Sequence, residues 1–358
     1  MKKIGILSFI NAYNYGGILQ IYALQNVLST KCKTEIINYN SEFIKKCYAS
    51  PSFSDFLNLR FLYKFIFRNA FILYNKTGFE KFKKERLILS EKEYLNDNFN
   101  ELASDYDGII VGSDQVWSLR CNGNDLNYFL PFESKKAKKY SYAASIGSDE
   151  ISDELENAIK KYLPDFKEIS LREKSGKDAI EKKINKDIFV NCDPTLLLTK
   201  KDWEILCKKR LIIGDYVLLY MLYEDKKLIK LAKKIAREKH MKVIYINNRF
   251  FKSFGVSNMS KVTPEEWVNL FYYSSFVLTN SFHGIAFSIN FNKQFKCRLL
   301  PFQNKANSRI VDILNEYNLE SCLNESMTCE IKDFTHINNK LKKNRENSMG
   351  YLEKICKK

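Results

Sequence analysis

At 358 residues, 45% of them hydrophobic and 28% charged, the chain has the make-up of a globular protein long enough for two cored domains. No run approaches the ~18 uninterrupted apolar residues of a membrane span, and the start, Met1 to Phe9, has too short an apolar stretch for a secretory signal, so a cytoplasmic protein is expected. The net charge of +16 calls for anionic partners. With lysines spread along the chain and no arginine-rich helix, zinc finger or aromatic RNA-binding motif, nucleic acid is not expected among them.

Residues 3–9 alternate as a strand, and Asn11 to Gly17 form a polar, glycine-containing turn. Ile18 to Leu28 follow as a helix, with Leu19, Ala23, Leu24 and Leu28 on one face, and Glu35 to Tyr39 is the next strand. Strand, glycine turn, helix, strand opens a parallel α/β sheet, whose ligands sit beyond the carboxyl ends of the strands. The same logic recurs. Asp107–Gly112 delivers Ser113-Asp114-Gln115 to a loop, and Tyr140–Ala144 delivers Ser145-Ile146-Gly147. Ile169–Leu171 delivers Arg172-Glu173, and Ile188–Val190 delivers Asn191-Cys192-Asp193. A second set runs from Tyr216–Tyr220 through a helix near 226–239, the strand Val243–Ile246 and a helix near 265–272. The pattern predicts an N-terminal α/β domain over 1–198, a C-terminal one over 199–330 and a basic helical tail over 331–358.

The last strand of the second set, Phe276-Val277-Leu278, leads into Thr279-Asn280-Ser281-Phe282-His283-Gly284 and then an apolar helix. Ser281 is placed to cap that helix, and Gly284 allows close approach of backbone and ligand. The first-turn N–H groups and the helix dipole favour an anion there, with a histidine beside it for proton transfer. A capped helix with a satisfied histidine is the plain alternative. His240, ending a lysine-rich helix, and His336, in the tail, are expected to be solvated.

Residues 43–100 break the alternation and read as a helical insertion. Within 57–74, Arg60, Lys64 and Arg68 share one helix face, with Phe61, Leu62, Phe65 and Ile66 over much of the rest. Such a helix either packs on its own domain or rests on the anionic inner face of a membrane. The nine cysteines include no Cys-x-x-Cys pair and read as scattered reduced thiols; with three histidines, no metal site is expected.

In order along the chain, Asn14-Tyr15-Gly16-Gly17-Ile18-Leu19-Gln20, Val111-Gly112-Ser113-Asp114-Gln115-Val116-Trp117, Tyr142-Ala143-Ala144-Ser145-Ile146-Gly147, Leu171-Arg172-Glu173-Lys174-Ser175, Asp193-Pro194-Thr195-Leu196, Ser281-Phe282-His283-Gly284 and Ser308-Arg309-Ile310 resemble the polysaccharide pyruvyl transferase family. The resemblance runs from residue 4 to about 320, outside the insertion and tail. It implies two Rossmann-like α/β domains in a GT-B-like arrangement and transfer of pyruvate from phosphoenolpyruvate to a sugar as a cyclic ketal, with phosphoenolpyruvate as donor substrate and no cofactor.

Such a donor is a small trianion, for which guanidinium groups give bidentate, charge-assisted bonds. Arg172 and Arg309 are the candidates, with Asn280, Ser281 and Gly284 supplying turn donors. His283 is the expected acid or base, and Asp114 and Asp193 the carboxylates that orient a sugar hydroxyl, although capping explains Asp193 before Pro194 equally well. Asn14, Tyr15, Gly16, Gly17, Ser113, Gln115 and Ser145 fall to the acceptor, a sugar or lipid-linked glycan; Gln20 lies inside the helix and is expected to pack. Glu173 is placed to pair with Arg172. Some members carry an arginine two residues before the motif histidine where this chain has Ser281, which leaves open another cation or another donor. A glycosyltransferase using a nucleotide sugar, with Glu265 or Glu266 on its ribose, and a non-catalytic polysaccharide-assembly partner remain alternative readings.

Overall fold

The computed structural model describes residues 2–48, 75–147, 151–247, 252–301, 304–323 and 330–357. Among them every strand pairing is parallel. The first sheet comprises β1 (Lys3–Leu7), β2 (Lys33–Tyr39), β3 (Leu89–Tyr94), β4 (Gly108–Val111) and β5 (Lys138–Ser141), in the order β3-β2-β1-β4-β5. A two-stranded ladder of β6 (Ile169–Leu171) and β7 (Ile188–Val190) extends it through single bridges from Tyr140 to Glu168 and Ala144 to Leu171. The second sheet comprises β8 (Tyr216–Tyr220), β9 (Lys242–Ile246), β10 (Ser257–Met259), β11 (Phe276–Thr279) and β12 (Gln294–Cys297), in the order β10-β9-β8-β11-β12. Each order is that of a doubly wound unit, reversing beside its first strand. Two such units facing one another make the expected GT-B-like arrangement.

Buried parallel strands read as continuous apolar runs, and Tyr216–Tyr220 and Gly108–Val111 are buried at every position. β3 was not expected: its residues, Leu-Ser-Glu-Lys-Glu-Tyr, bury only Ser90 and Tyr94, so an edge strand stands in the stretch 43–100 that periodicity marks as helical. Helical pieces at Glu42–Tyr48 and 75–86 precede it. The basic helix over 57–74 lies outside the described residues.

The helix Tyr15–Ser29 joins the two units. All of its residues except Asn26 and Ser29 are buried, because its far face is covered by the second unit. Tyr15 stacks on Trp267 with ring centroids 5.8 Å apart and donates its hydroxyl hydrogen to the Val262 carbonyl at 2.6 Å. The C-terminal helix, Thr335–Lys357, corrects the solvated-tail expectation: Ile337, Leu341, Tyr351, Leu352 and Ile355 are buried along it. It returns from the second unit to the first, where the Tyr351 hydroxyl donates to the Ser141 carbonyl at 2.8 Å. On the way Arg345 bonds the carbonyl of Leu196 (2.6 Å) and Oδ1 of Asn290 (2.8 Å). Its apolar residues are few, but they recur at helical spacing. Among the described residues no helix is long and apolar enough to cross a membrane.

Candidate functional site

Asp114, Ser145, Arg172 and Asp193 leave the carboxyl ends of β4, β5, β6 and β7, and Arg172 and Asp193 meet Phe282 and His283 at the start of the helix Phe282–Asn290 of the second unit. Arg172 is the hub. Its Nη1 donates to Oδ2 of Asp193 at 2.9 Å and its Nε to Oε1 of Glu173 at 3.2 Å, while Nη2 lies 3.9 Å from Oδ1 of Asp114. The guanidinium plane also rests 4.5 Å from the centre of the Phe282 ring. Burial would lower the Arg172 pKa, but Glu173, Asp193 and Asp114 outweigh it and raise it. Two nitrogens are thus committed, and the buried Nη2 has no hydrogen-bond partner.

Asp193 forms the cap anticipated for it and also meets two other side chains. Oδ1 accepts from the backbone and hydroxyl of Thr195, at 2.9 and 2.7 Å, and caps the following turn. Oδ2 faces Arg172 and lies 3.6 Å from Nε2 of His283. At that separation Nε2 has no hydrogen bond. Burial pushes the Asp193 carboxyl up, but His283, Arg172 and Thr195 prevail and hold it below the usual carboxylate range. Glu173 is kept in place by the Ser145 hydroxyl at 2.7 Å.

The other ring nitrogen of His283 faces the backbone of Gly16. A Cβ at Gly16 would sit 1.9 Å from Nδ1 and 2.2 Å from Cγ, whereas one at Gly17 would meet only ordinary contacts from 3.5 Å. Both glycines lie in the first helical turn, capped by the Asn14 side chain. Alanine favours an unobstructed helix by about 1 kcal/mol, so the two positions should respond oppositely. Gly17→Ala is expected to leave stability level or raise it, and Gly16→Ala to destabilise by about 1–3 kcal/mol through overpacking. Urea unfolding of the pair tests this; a stabilised Gly16→Ala protein would mean that the ring does not press on this helix.

A cavity of about 430 Å³ opens beside this cluster, lined by Arg172, Asp193, Leu196, Phe282, Arg309 and Ile313 among others. Arg309 reaches it from the helix Asn304–Glu316, and its buried Nε is unpartnered. Burial, then the neighbouring Arg172, lowers the Arg309 pKa. Two guanidinium groups, each with an unsatisfied buried donor, thus stand at a cavity that the carboxylates of Glu173, Asp193, Asp312 and Glu316 also line. His283 does not line the cavity; Asp193, which does, lies between the ring and the cavity.

Several anticipated ligands are committed elsewhere. The Asn280 amide accepts from Leu222 N–H (2.8 Å) and donates to the Tyr223 carbonyl (2.6 Å), tying the β8 loop to β11. Ser281 N–H goes to Thr279 Oγ1 and Gly284 N–H to Ser281 Oγ, so the cap is as expected but these two turn donors are consumed by it. The Ser113 hydroxyl donates to the Ala143 carbonyl at 2.7 Å, Ser145 holds Glu173, and Tyr15 is an interdomain strut, so none of the three is left for an acceptor. Gln115, whose Nε2 is buried and unpartnered, and Asp114, with φ +82° at the end of β4, stay available. Gln20 is wholly buried in the helix with neither amide atom bonded. His240 and His336 are exposed. Glu265 pairs with Arg86 at 2.7 Å and Glu266 closes a capping box with Thr263, which removes both from a ribose-binding role. Among the described residues no group of three or more His, Cys, Asp or Glu is placed to hold a metal ion. The acids of the second unit were the least legible: Asp312 and Glu316 line the cavity from the helix Asn304–Glu316 but lie outside its Ser308-Arg309-Ile310 motif.

Similar solved structures include the UDP-GlcNAc 2-epimerase of Methanocaldococcus jannaschii, in complex with UDP-GlcNAc and UDP, at 13% identity over 97% of this chain and 99% of that one, with a TM-score of 0.49. The Neisseria meningitidis UDP-GlcNAc 2-epimerase bound to UDP-GlcNAc is 10% identical over 99% and 94%, with a TM-score of 0.47. The E. coli heptosyltransferase WaaC with ADP is 10% identical over 86% and 89%, with a TM-score of 0.41. No curated protein matches the chain. A family model described as polysaccharide pyruvyl transferase matches residues 14–297, a stretch that holds the Gly16 turn, Asp114, Arg172, Asp193 and His283. The chain therefore belongs to the polysaccharide pyruvyl transferase family, and with it to the transferases that modify polysaccharides.

Proposed function

We propose that the protein transfers pyruvate from phosphoenolpyruvate to a sugar of a cell-surface polysaccharide precursor and closes it there as a cyclic ketal. The observation that carries this reading is the pairing of Arg172 and Arg309 on one cavity, each with a buried N–H donor lacking a partner. In this reading the donor's phosphate and carboxylate satisfy those N–H groups. His283 supplies, across Asp193, the proton that C3 of the donor gains, which makes C2 electrophilic. A sugar hydroxyl attacks C2 as Asp114 takes its proton, and a second hydroxyl then displaces the phosphate from the same carbon and gives up its proton to that phosphate, which completes the ketal. Asp193, fixed by Arg172 and Thr195, faces the histidine across 3.6 Å. The acceptor approaches from the Gln115–Gly147 side, a sugar either free or lipid-linked. Association with the inner face of a membrane through 57–74 belongs to the same proposal, as does a cytoplasmic location.

Calorimetric titration with phosphoenolpyruvate, and with UDP- and CMP-sugars in parallel, tests the reading on the wild type and on Arg309→Gln. Saturable phosphoenolpyruvate binding that the variant weakens by at least tenfold is expected. Binding of nucleotide sugars alone would replace this reading with glycosyl transfer. Binding of neither, with no activity on any acceptor, would leave a non-catalytic assembly partner.

A further inference from the structure

Cys32 and Cys356 lie at opposite ends of the chain, 324 residues apart, yet their sulfur atoms are 3.1 Å from one another. Among the nine cysteines of a sequence with no paired spacing, that meeting is created by the fold. Cys32 closes the turn between the helix Tyr15–Ser29 and β2 and is buried. Cys356 sits in the last turn of the C-terminal helix and is partly buried. Leu352 and Ile355 of that turn are fully buried, and Lys31 pairs with Glu353 at 2.7 Å, so the two backbones are held on either side of the thiols. The sulfurs are already within van der Waals distance, and roughly 1 Å of further approach reaches the ~2.05 Å of a covalent bond.

We propose that Cys32 and Cys356 are a redox-modification site, joined reversibly by a disulfide that fastens the C-terminal helix to the first α/β unit. The oxidant class is a peroxide. One thiolate attacks hydrogen peroxide, becoming a sulfenic acid and releasing hydroxide; the second thiolate displaces hydroxide from that sulfur, and the two thiol protons convert both hydroxides to water. Two thiols and one peroxide thus give one disulfide and two waters, and a dithiol reductant reverses the step by exchange. The environment assists the first stage: the Cys356 thiol beside it, then Thr34 and Lys2, lower the Cys32 thiol pKa against the opposing effect of burial. Because the helix runs from the second unit back to the first, the bond would close a loop around both and limit their separation. The inference does not depend on the reaction proposed above.

The full-length protein is treated with hydrogen peroxide, then denatured and alkylated without reductant. Loss of two of its nine thiols, a peptide map joining the Cys32 and Cys356 peptides, and recovery of both thiols with dithiothreitol are expected. An oxidised protein should also resist urea to a higher midpoint than the reduced one. Cys356→Ser, at a partly buried position, and Cys32→Ser should each abolish the linkage and the midpoint difference. Retention of all thiols, over-oxidation to sulfinic acid without linkage, or linkage of another pair such as Cys297 and Cys322 would overturn the proposal.

Discussion

Arg172→Ala should destabilise the fold by about 3–5 kcal/mol, the range for breaking a buried ion pair from one side, whereas Arg309→Gln should leave the fold intact. The reason lies in what each guanidinium leaves behind. Without Arg172, the carboxylates of Asp193, Glu173 and Asp114 lose the cation they share, and two of them have side chains only 0% and 6% exposed. A loss of that size is a large part of the ~5–15 kcal/mol that holds a typical protein folded. Arg309 stands in the opposite position: burial and Arg172 both disfavour its charge, and its Nε bonds nothing. Glutamine there removes a cost rather than a support. Denaturant unfolding of the two variants checks the contrast, and equal losses would mean that Arg309 has a structural counter-charge. It also makes Arg309→Gln the informative binding variant, since reduced donor binding by Arg172→Ala would not separate lost contact from lost fold.

His283→Gln should reduce turnover by ~10²–10⁴-fold if the imidazole transfers a proton, with donor affinity changed by less than about threefold. The second half of that expectation comes from geometry: the cavity bearing the two arginines is not lined by His283, which reaches it only across Asp193. Glutamine keeps a polar group of similar reach beside Asp193 and Gly16 but has no titrating proton. A change confined to kcat is the signature of an interaction made in the transition state alone. The measurement is phosphate release from phosphoenolpyruvate in the presence of an acceptor glycan, alongside calorimetric donor affinity. Full turnover by the variant would remove His283 from the chemistry; equal losses of affinity and turnover would make it a ligand of the donor instead.

How far the sequence is legible differs between elements. β8 and β11 are buried throughout and apolar but for Thr279, and the helices that follow β8 and β11 start at Asp225 and Ser281, whose side chains cap them as their types predict. β3 escaped because an edge strand that buries two of its six residues has no alternation to show. The C-terminal helix escaped because lysine and asparagine dominate its composition, although the five buried apolar positions alone settle where it packs. At the site, Asp193 and His283 were recognisable as residues worth attention, but the amides and hydroxyls of Asn280, Ser113 and Ser145 gave no sign that backbone and Glu173 would claim them.

The sequence by itself determined the local features: strand and helix periods, the caps, the glycine turn, the ordered motifs and the two-unit parallel plan. These depend on residues within a turn or two of one another, where spacing and side-chain type decide the outcome. Only the tertiary structure decided that Arg172 is clasped by three carboxylates, that His283 rests on Gly16, and that Cys32 meets Cys356. Apart from the Arg172–Glu173 pair, which adjacent residues make, each of those contacts joins elements distant in sequence, and its geometry follows from how the two units and the returning helix pack, a matter of shape and burial that no local pattern encodes.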